Sequence, residues 1–168
     1  LFFRLIKSRK KRQIPADLST AEALASFEQL SSNPMHKTSP AGVLCMDLHP
    51  TNPDLAVTGG KDSNAIIFNR ASKKAEQTLT GHSKQVTDVL FHSSGSDTVI
   101  TTSADRTAKV WKRAEGDAKF SVSATLSKHT GDVTEAALHT SGDYLITAGM
   151  DKTWCFWDLA TGAFTLMV

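Results

Sequence analysis

Thr101-Thr102-Ser103-Ala104-Asp105-Arg106-Thr107-Ala108-Lys109-Val110-Trp111 is the stretch that decides the fold. Two other stretches superimpose on it without gaps. They are Thr58-Gly59-Gly60-Lys61-Asp62-Ser63-Asn64-Ala65-Ile66-Ile67-Phe68 and Thr147-Ala148-Gly149-Met150-Asp151-Lys152-Thr153-Trp154-Cys155-Phe156-Trp157. Each reads Thr, three residues, Asp, five residues, aromatic, and the three Asp stand 43 and 46 positions apart. An apolar residue followed by His precedes each copy, at Leu48-His49, Phe91-His92 and Leu138-His139. Further upstream lie Gly81-His82 and Lys128-His129, 47 apart. A period of this length fits either helical solenoid repeats or propeller blades.

The local pattern decides between them. Val86–Phe91 is rich in β-formers and runs into the turn residues Ser93-Ser94-Gly95-Ser96-Asp97. Val99-Ile100-Thr101-Thr102 is β-branched throughout, Ala108–Trp111 resumes after a turn, and Phe120–Leu126 makes a fourth short run. Four strands joined by turn clusters predict one antiparallel blade. No uninterrupted amphipathic run of ~10 residues, as a helical repeat requires, fits between these turns. The chain is expected to be all-β, with three four-stranded antiparallel blades of a propeller over residues 41–168, at about 43–80, 86–126 and 133–167. Residues 1–40 form a basic linker with a short helix. The repeats resemble the WD-repeat family of β-propellers, on Gly81-His82, the Asp before each aromatic, and Trp157-Asp158.

The motif residues suit a structural role. An indole N–H only donates, an ionised carboxylate only accepts, and Thr and His can do both. A chain Trp–Thr–His–Asp therefore satisfies every polar group in a buried blade, where an orphan costs ~1–3 kcal/mol. The second blade supplies His82, Thr101, Asp105 and Trp111, and the third His129, Thr147, Asp151 and Trp157. These positions match the tetrad of the WD family. Ser103 lies on the face of Thr101 and is the rival for its place, but Gly60 and Gly149 hold that slot in the other copies. The first blade keeps Thr58 and Asp62, has Phe68 at the Trp position, and by equal spacing places Ser39 where the His belongs. It is expected to lack the network.

Sharper chemical readings are weaker. A nucleophilic site occurs once, whereas this Thr/His/Asp set recurs in the second and third blades. His49, His92 and His139 also recur once per blade, unlike the tightly spaced ligands of a zinc site. Cys45 and Cys155 make no disulfide framework and read as ordinary buried thiols of a reducing compartment. No catalytic residue, metal, cofactor or small-molecule ligand is expected. No apolar run of ~18 residues suggests a membrane span.

The 168 residues carry +2 overall, but Arg4, Lys7, Arg9, Lys10, Lys11 and Arg12 place +6 in residues 1–13. The remainder therefore carries −4. A basic tail on a mildly acidic body argues against direct nucleic-acid binding, which places its cations on the folded face. Lys7, Arg9, Lys10, Lys11 and Arg12 read either as a nuclear-import signal or as a solvated linker cluster. Ser19 and Glu22 match a capping box, and Leu24, Phe27 and Leu30 share one face of a helix expected over about 20–30.

Beyond the general repeat, Lys10–Pro15 with the Leu24–Phe27 helix, Thr58–Ala65, Leu79–Thr87 and His139–Leu145 resemble the pre-mRNA-processing factor 19 family, in its plant form. Leu1–Ser8 do not share the resemblance. It implies a nuclear scaffold of the spliceosome-activating complex, linked also to DNA repair. In that family a U-box recruits a ubiquitin-conjugating enzyme, a coiled coil makes tetramers, and a seven-bladed propeller binds partners and substrates. Neither U-box nor coiled coil is recognised in this sequence, which opens on Leu rather than Met and reads as a piece of a longer protein. Partners are expected to be proteins: components of that complex and ubiquitylation substrates. The rival readings are a truncated copy of the ubiquitin ligase and an unrelated WD adaptor of a nuclear or signalling complex.

Overall fold

The computed structural model describes residues 18–36, 39–94, 97–114, 116 and 119–167. The basic residues Lys7, Arg9, Lys10, Lys11 and Arg12 lie outside them. The chain divides into two compact units, Leu1–Ser32 and Asn33–Val168.

The described part of the first unit holds one helix, α1 (Ala21–Ala25). Its N-cap is Thr20, whose side chain accepts from the Ala23 N–H at 3.1 Å, and not the expected Ser19. The helix also stops earlier than the apolar spacing predicts. Ser26 folds back to donate through its hydroxyl to the Ala23 carbonyl, which ends the ladder. Leu24, Phe27 and Leu30 are exposed, Phe27 at 75%.

The second unit is built from twelve strands in three four-stranded antiparallel sheets, each in simple sequence order. The first holds β1 (Val43–Leu48), β2 (Leu55–Gly60), β3 (Asn64–Asn69) and β4 (Lys74–Thr80). The second holds β5 (Val86–Phe91), β6 (Thr98–Ser103), β7 (Ala108–Lys112) and β8 (Ser121–Leu126). The third holds β9 (Val133–Leu138), β10 (Tyr144–Gly149), β11 (Trp154–Asp158) and β12 (Phe164–Met167). These are the three blades of a partial propeller. Each first strand packs on the first strand of the next sheet, so β1, β5 and β9 lie innermost.

Burial follows from this layering. The middle strand β6 is buried at every residue, and its β-branched side chains suit a strand covered on both faces. The outer strands β4 and β8 are largely exposed. Val57, Ala65, Ile67 and Leu79 of the first blade meet Val86, Val89, Phe91, Val99 and Trp111 of the second. Ile100, Ala108, Val110 and Leu126 then meet Ala136, Leu145, Cys155 and Trp157 of the third.

Polar groups stitch the same seams. The Asp47 and Asp88 carboxylates, on inner strands, accept from the backbone N–H of Phe91 (2.8 Å) and Ala136 (3.0 Å) in the following blade. Gln77 pairs both ways with the Phe120 backbone at 2.7 Å. Thr87 Oγ1 donates to the Val133 carbonyl at 2.6 Å. Register shifts at Val43/Cys45 and Val86/Asp88 mark bulges in the inner strands, which re-aim the side chains that follow.

The two end faces of the stack show what this packing leaves over. On the first blade Met46 is 64% and Leu48 61% exposed. On the third Tyr144, Ile146 and Trp154 are also exposed. Apolar sheet faces of this kind promote association. The chain is expected to sediment as concentration-dependent oligomers, and Met46→Lys with Ile146→Lys to shift it toward monomer with little change in melting temperature. A single monomeric boundary for the unmodified chain at all concentrations would contradict this.

Candidate functional site

The connection from one blade to the next is fastened to the turn of the blade it enters. His82 lies in the β4–β5 connection and Asp105 in the β6–β7 turn, with Thr101 on β6 and Trp111 on β7. Trp111 Nε1 donates to Thr101 Oγ1 at 2.9 Å. Thr101 Oγ1 lies 2.7 Å from His82 Nε2, and His82 Nδ1 2.8 Å from Asp105 Oδ2. Indole can only donate and carboxylate only accept, which fixes the two end bonds, and a neutral imidazole fixes the middle one. Thr101 donates to Nε2, and Nδ1 carries the proton given to Asp105.

The third blade repeats this arrangement. Trp157 Nε1 donates to Thr147 Oγ1 (2.9 Å), Thr147 contacts His129 Nε2 (2.9 Å), and His129 Nδ1 contacts Asp151 Oδ2 (3.0 Å). The structure thus brings together all eight residues placed in the two tetrads. Ser103 goes elsewhere: its hydroxyl meets the Lys84 and Gln85 carbonyls and accepts from the Asp105 N–H.

The first blade departs from expectation. It has a network, made by His36 and not by Ser39, which is exposed. His36 Nδ1 donates to Asp62 Oδ1 at 2.7 Å, and Nε2 lies 3.0 Å from Thr58 Oγ1. His82 and His129 each stand four residues before their inner strand, whereas His36 stands seven before β1. Gapless counting therefore pointed three residues too late. Phe68 is buried but brings no donor, so Thr58 lacks the indole bond and its hydroxyl instead lies 3.5 Å from the Ile66 carbonyl.

Two members escaped the sequence reading. Thr107 Oγ1 donates to Asp105 Oδ1 at 2.6 Å, and Thr153 Oγ1 to Asp151 Oδ1 at 2.8 Å. Both stand two positions after the Asp, a recurrence visible in the aligned copies, with Asn64 at that place in the first. The residue between them is left-handed in every blade: Ser63 at φ 65°, Arg106 at 72° and Lys152 at 67°. A non-glycine residue there costs roughly 1–2 kcal/mol. The bonds converging on the Asp hold the turn in that shape.

Charge follows from burial and bonding. Burial holds His82 below its ordinary pKa, outweighing the Asp105 partner, so the imidazole is neutral at pH 7. Burial would raise Asp105, but the bonds from Thr107, His82 and the Ser83 N–H together bring it below the ordinary carboxylate value. Asp151 behaves likewise: donors Thr153, the Thr130 N–H and His129 outweigh burial and hold it low. Cys45 is pushed up to about 12, by burial and then by Asp88, so it is a packed thiol rather than a nucleophile.

The remaining candidates are dispersed. His49, His92 and His139 lie at the opposite end of the sheets and cap their own turns: each Nδ1 accepts from nearby backbone N–H groups. His92 Nε2 also donates to the Gly142 carbonyl at 2.9 Å, across the second seam. Among the described residues no three His, Cys, Asp or Glu gather as a metal site would require.

What the geometry defines is a set of WD blades. The family described as "WD domain, G-beta repeat" matches residues 27–69, 73–112 and 120–158, and the chain belongs to it. The second and third matched repeats each begin with the outer strand of the preceding sheet and end on the third strand of their own.

Within that class the chain is similar to pre-mRNA-processing factor 19 along nearly all its length. It is 44% identical over 160 residues to pre-mRNA-processing factor 19 homolog 2 of Arabidopsis thaliana, covering 95% of this chain and 30% of the relative. It is 41% identical over 155 residues to the factor from Oryza sativa, covering 92% and 29%. The bovine factor is 36% identical over 161 residues, covering 94% and 31%. The chain spans about 30% of the length of these relatives.

Two outcomes test the network. Thr101→Val orphans both the Trp111 N–H and His82 Nε2 and is expected to cost about 3 kcal/mol in urea unfolding, against about 1–2 for Thr58→Val, which has no indole to orphan. Acid is the second. A lowered His82 pKa means the unfolded chain binds the proton first, so stability falls as pH drops below about 6.5. The lowered Asp105 and Asp151 remove more below about pH 4. Melting temperature should therefore fall from pH 7 to 5, and His82→Gln should flatten that first step. A flat profile in the unmodified chain would refute the assignment.

Proposed function

We propose that this chain is a docking scaffold of the pre-mRNA splicing machinery, working in the nucleus. One observation carries the reading: similarity to pre-mRNA-processing factors covers 95% of the chain and coincides with blades whose reactive side chains are committed to holding the fold. His82, Thr101, His129 and Thr147 are buried, Asp105 and Asp151 are largely covered, and all are bonded within their own sets, which leaves the loops as the surface for partners. A scaffold of rigid sheets with exposed loops suits protein recognition.

The partners are components of the spliceosome-activating complex. The resemblance also implies ubiquitin transfer and a link to DNA repair for the whole family member. In those roles the blades would supply contacts to substrates rather than the reaction. The same scaffold reading includes the basic residues Lys7, Arg9, Lys10, Lys11 and Arg12 as an import signal.

The test is affinity capture from plant nuclear extract with the tagged full chain, followed by mass spectrometry. Splicing-complex proteins are expected to be enriched over a Thr101→Val, Asp105→Ala control that has lost its second blade. Recovery of chromatin or signalling assemblies without splicing components would favour an unrelated WD adaptor. Fusion to a fluorescent protein should concentrate it in nuclei, and replacing the five basic residues by Gln should release it to the cytoplasm.

A further inference from the structure

We propose that the two open faces of the stack are halves of one seam, and that a second copy of this chain docks head to tail across them. The first blade of one copy then packs on the third blade of the other. The proposal concerns blades against blades and does not rest on the scaffold reading.

The chain makes this seam twice within itself, and strand register shows which residues correspond. Val43, Val86 and Val133 open the three inner strands and pair with Gly60, Ser103 and Gly149, which share one position of the aligned copies. Each inner strand bulges directly after that valine. Val43, Met46 and Leu48 therefore hold the places of Val86, Val89 and Phe91, and of Val133, Ala136 and Leu138. Val86, Val89 and Phe91 are pressed into the core of the first seam. Val86 and Val133 are 0% exposed, whereas Val43 is 49% exposed and Met46 and Leu48 more so.

The receiving face repeats as well. Val57, Ala65 and Ile67 of the first blade meet the second, and Ile100, Ala108 and Val110 of the second meet the third. Ile146, Trp154 and Phe156 stand in those places on the third blade, where Ile146 and Trp154 are exposed. The valine of the incoming strand sits directly over β2: a Cβ at Gly59 would come within 2.6 Å of Val86 Cγ1. Ala148 holds the place of Gly59 on the third blade. A cavity of about 280 Å³ lies open there, lined by Glu135, Ala136, Ala137, Ile146 and Ala148. Val43 of a second copy is the side chain that corresponds to it.

The polar groups match in the same register. Across the second seam Thr87 donates to the Val133 carbonyl, and Asp88 accepts from the Ala136 N–H. Thr134 and Glu135 repeat that pair on the third blade and are exposed. Val43 and Met46 repeat Val133 and Ala136. Backbone groups buried at a seam need such partners, and two like faces laid together would not supply them. Two copies bring six blades, within the ~4–8 that a propeller holds, and a third copy would exceed it, so the assembly stops at a dimer.

The experiment uses the full chain in analytical ultracentrifugation. The unmodified chain should pass from one copy to two as concentration rises. Met46→Lys and Ile146→Lys, each alone, place a charge in the seam and should raise the dissociation constant more than about tenfold. An equimolar mixture of the two should regain a dimer, because each supplies the intact face that the other lacks. Contact between like faces predicts instead that one of these variants dimerises by itself. A Cβ at Gly59 would stand 3.1 Å from that of Val86, close enough for a disulfide bond. Val43→Cys mixed with Ala148→Cys should therefore give a disulfide-linked dimer on oxidation, and neither should do so alone. Circular dichroism melts establish that the variants remain folded. A monomeric unmodified chain, a single lysine variant that dimerises, a mixture that stays monomeric, growth beyond two copies, or loss of the dimer on Phe27→Ser would each overturn the proposal.

Discussion

The buried imidazole–carboxylate pair is the constraint on which this architecture depends. A sheet of four short strands covers little of its own surface, and its neighbour must be held at a fixed distance and angle. The pair does this because its two halves come from different parts of the path. His82 sits in the segment arriving from the first blade, and Asp105 in a turn of the second. Each bond in the chain Trp111, Thr101, His82, Asp105 satisfies a group that is wholly or largely removed from water. An ionised carboxylate is costly to bury. Asp105 tolerates it because donors converge on both oxygens, from Thr107, His82 and the Ser83 N–H. Removing one member leaves the others buried and unsatisfied, so the set behaves as a unit.

The offset between repeat and sheet serves the same end. The second and third matched repeats each donate their first strand to the previous sheet. Neighbouring blades are thus joined covalently, by apolar packing, and by carboxylates reaching across the seam. Asp88 shows the balance at that seam. Burial raises its pKa, and the Ala136 and Val89 N–H groups only partly offset this, with Glu135 and Asp47 adding to the rise. The side chain gives a fixed acceptor to the next inner strand, whose N–H would otherwise find none there.

Such a fold divides labour by depth. Groups with chemical potential are locked inside, and what faces a partner is the loop chemistry of two rims. At one rim Arg70 and Arg113 pair with Asp54 and Asp97 across hairpins, while at the other Asp105 and Asp151 are turned inward onto imidazoles. The end faces are different again. Met46 and Leu48 on one side, and Tyr144, Ile146 and Trp154 on the other, are sheet surfaces of the kind that mate inside the stack. Recognition through loops and association through sheet faces are therefore physically separate properties of this chain.

Much was legible from residue order alone. Strands, turns and the members of two tetrads follow from gapless recurrence, because each blade must solve the same packing problem with the same donors and acceptors. Thr107 and Thr153 were visible in that recurrence too, since both stand two places after the Asp. What recurrence could not supply is anything that depends on a loop of unequal length. His36 reaches Asp62 from three residues earlier than spacing foretells, because the connection before β1 is longer and only its folded path fixes where the ring arrives. The choice of Thr20 over Ser19 as cap is of the same kind, decided by backbone angles that two adjacent hydroxyl residues do not distinguish. The pairing of Asp47 with the Phe91 N–H and the sorting of charges between rims also belong to tertiary structure alone. Composition counts charges, but only the fold decides which of them face inward.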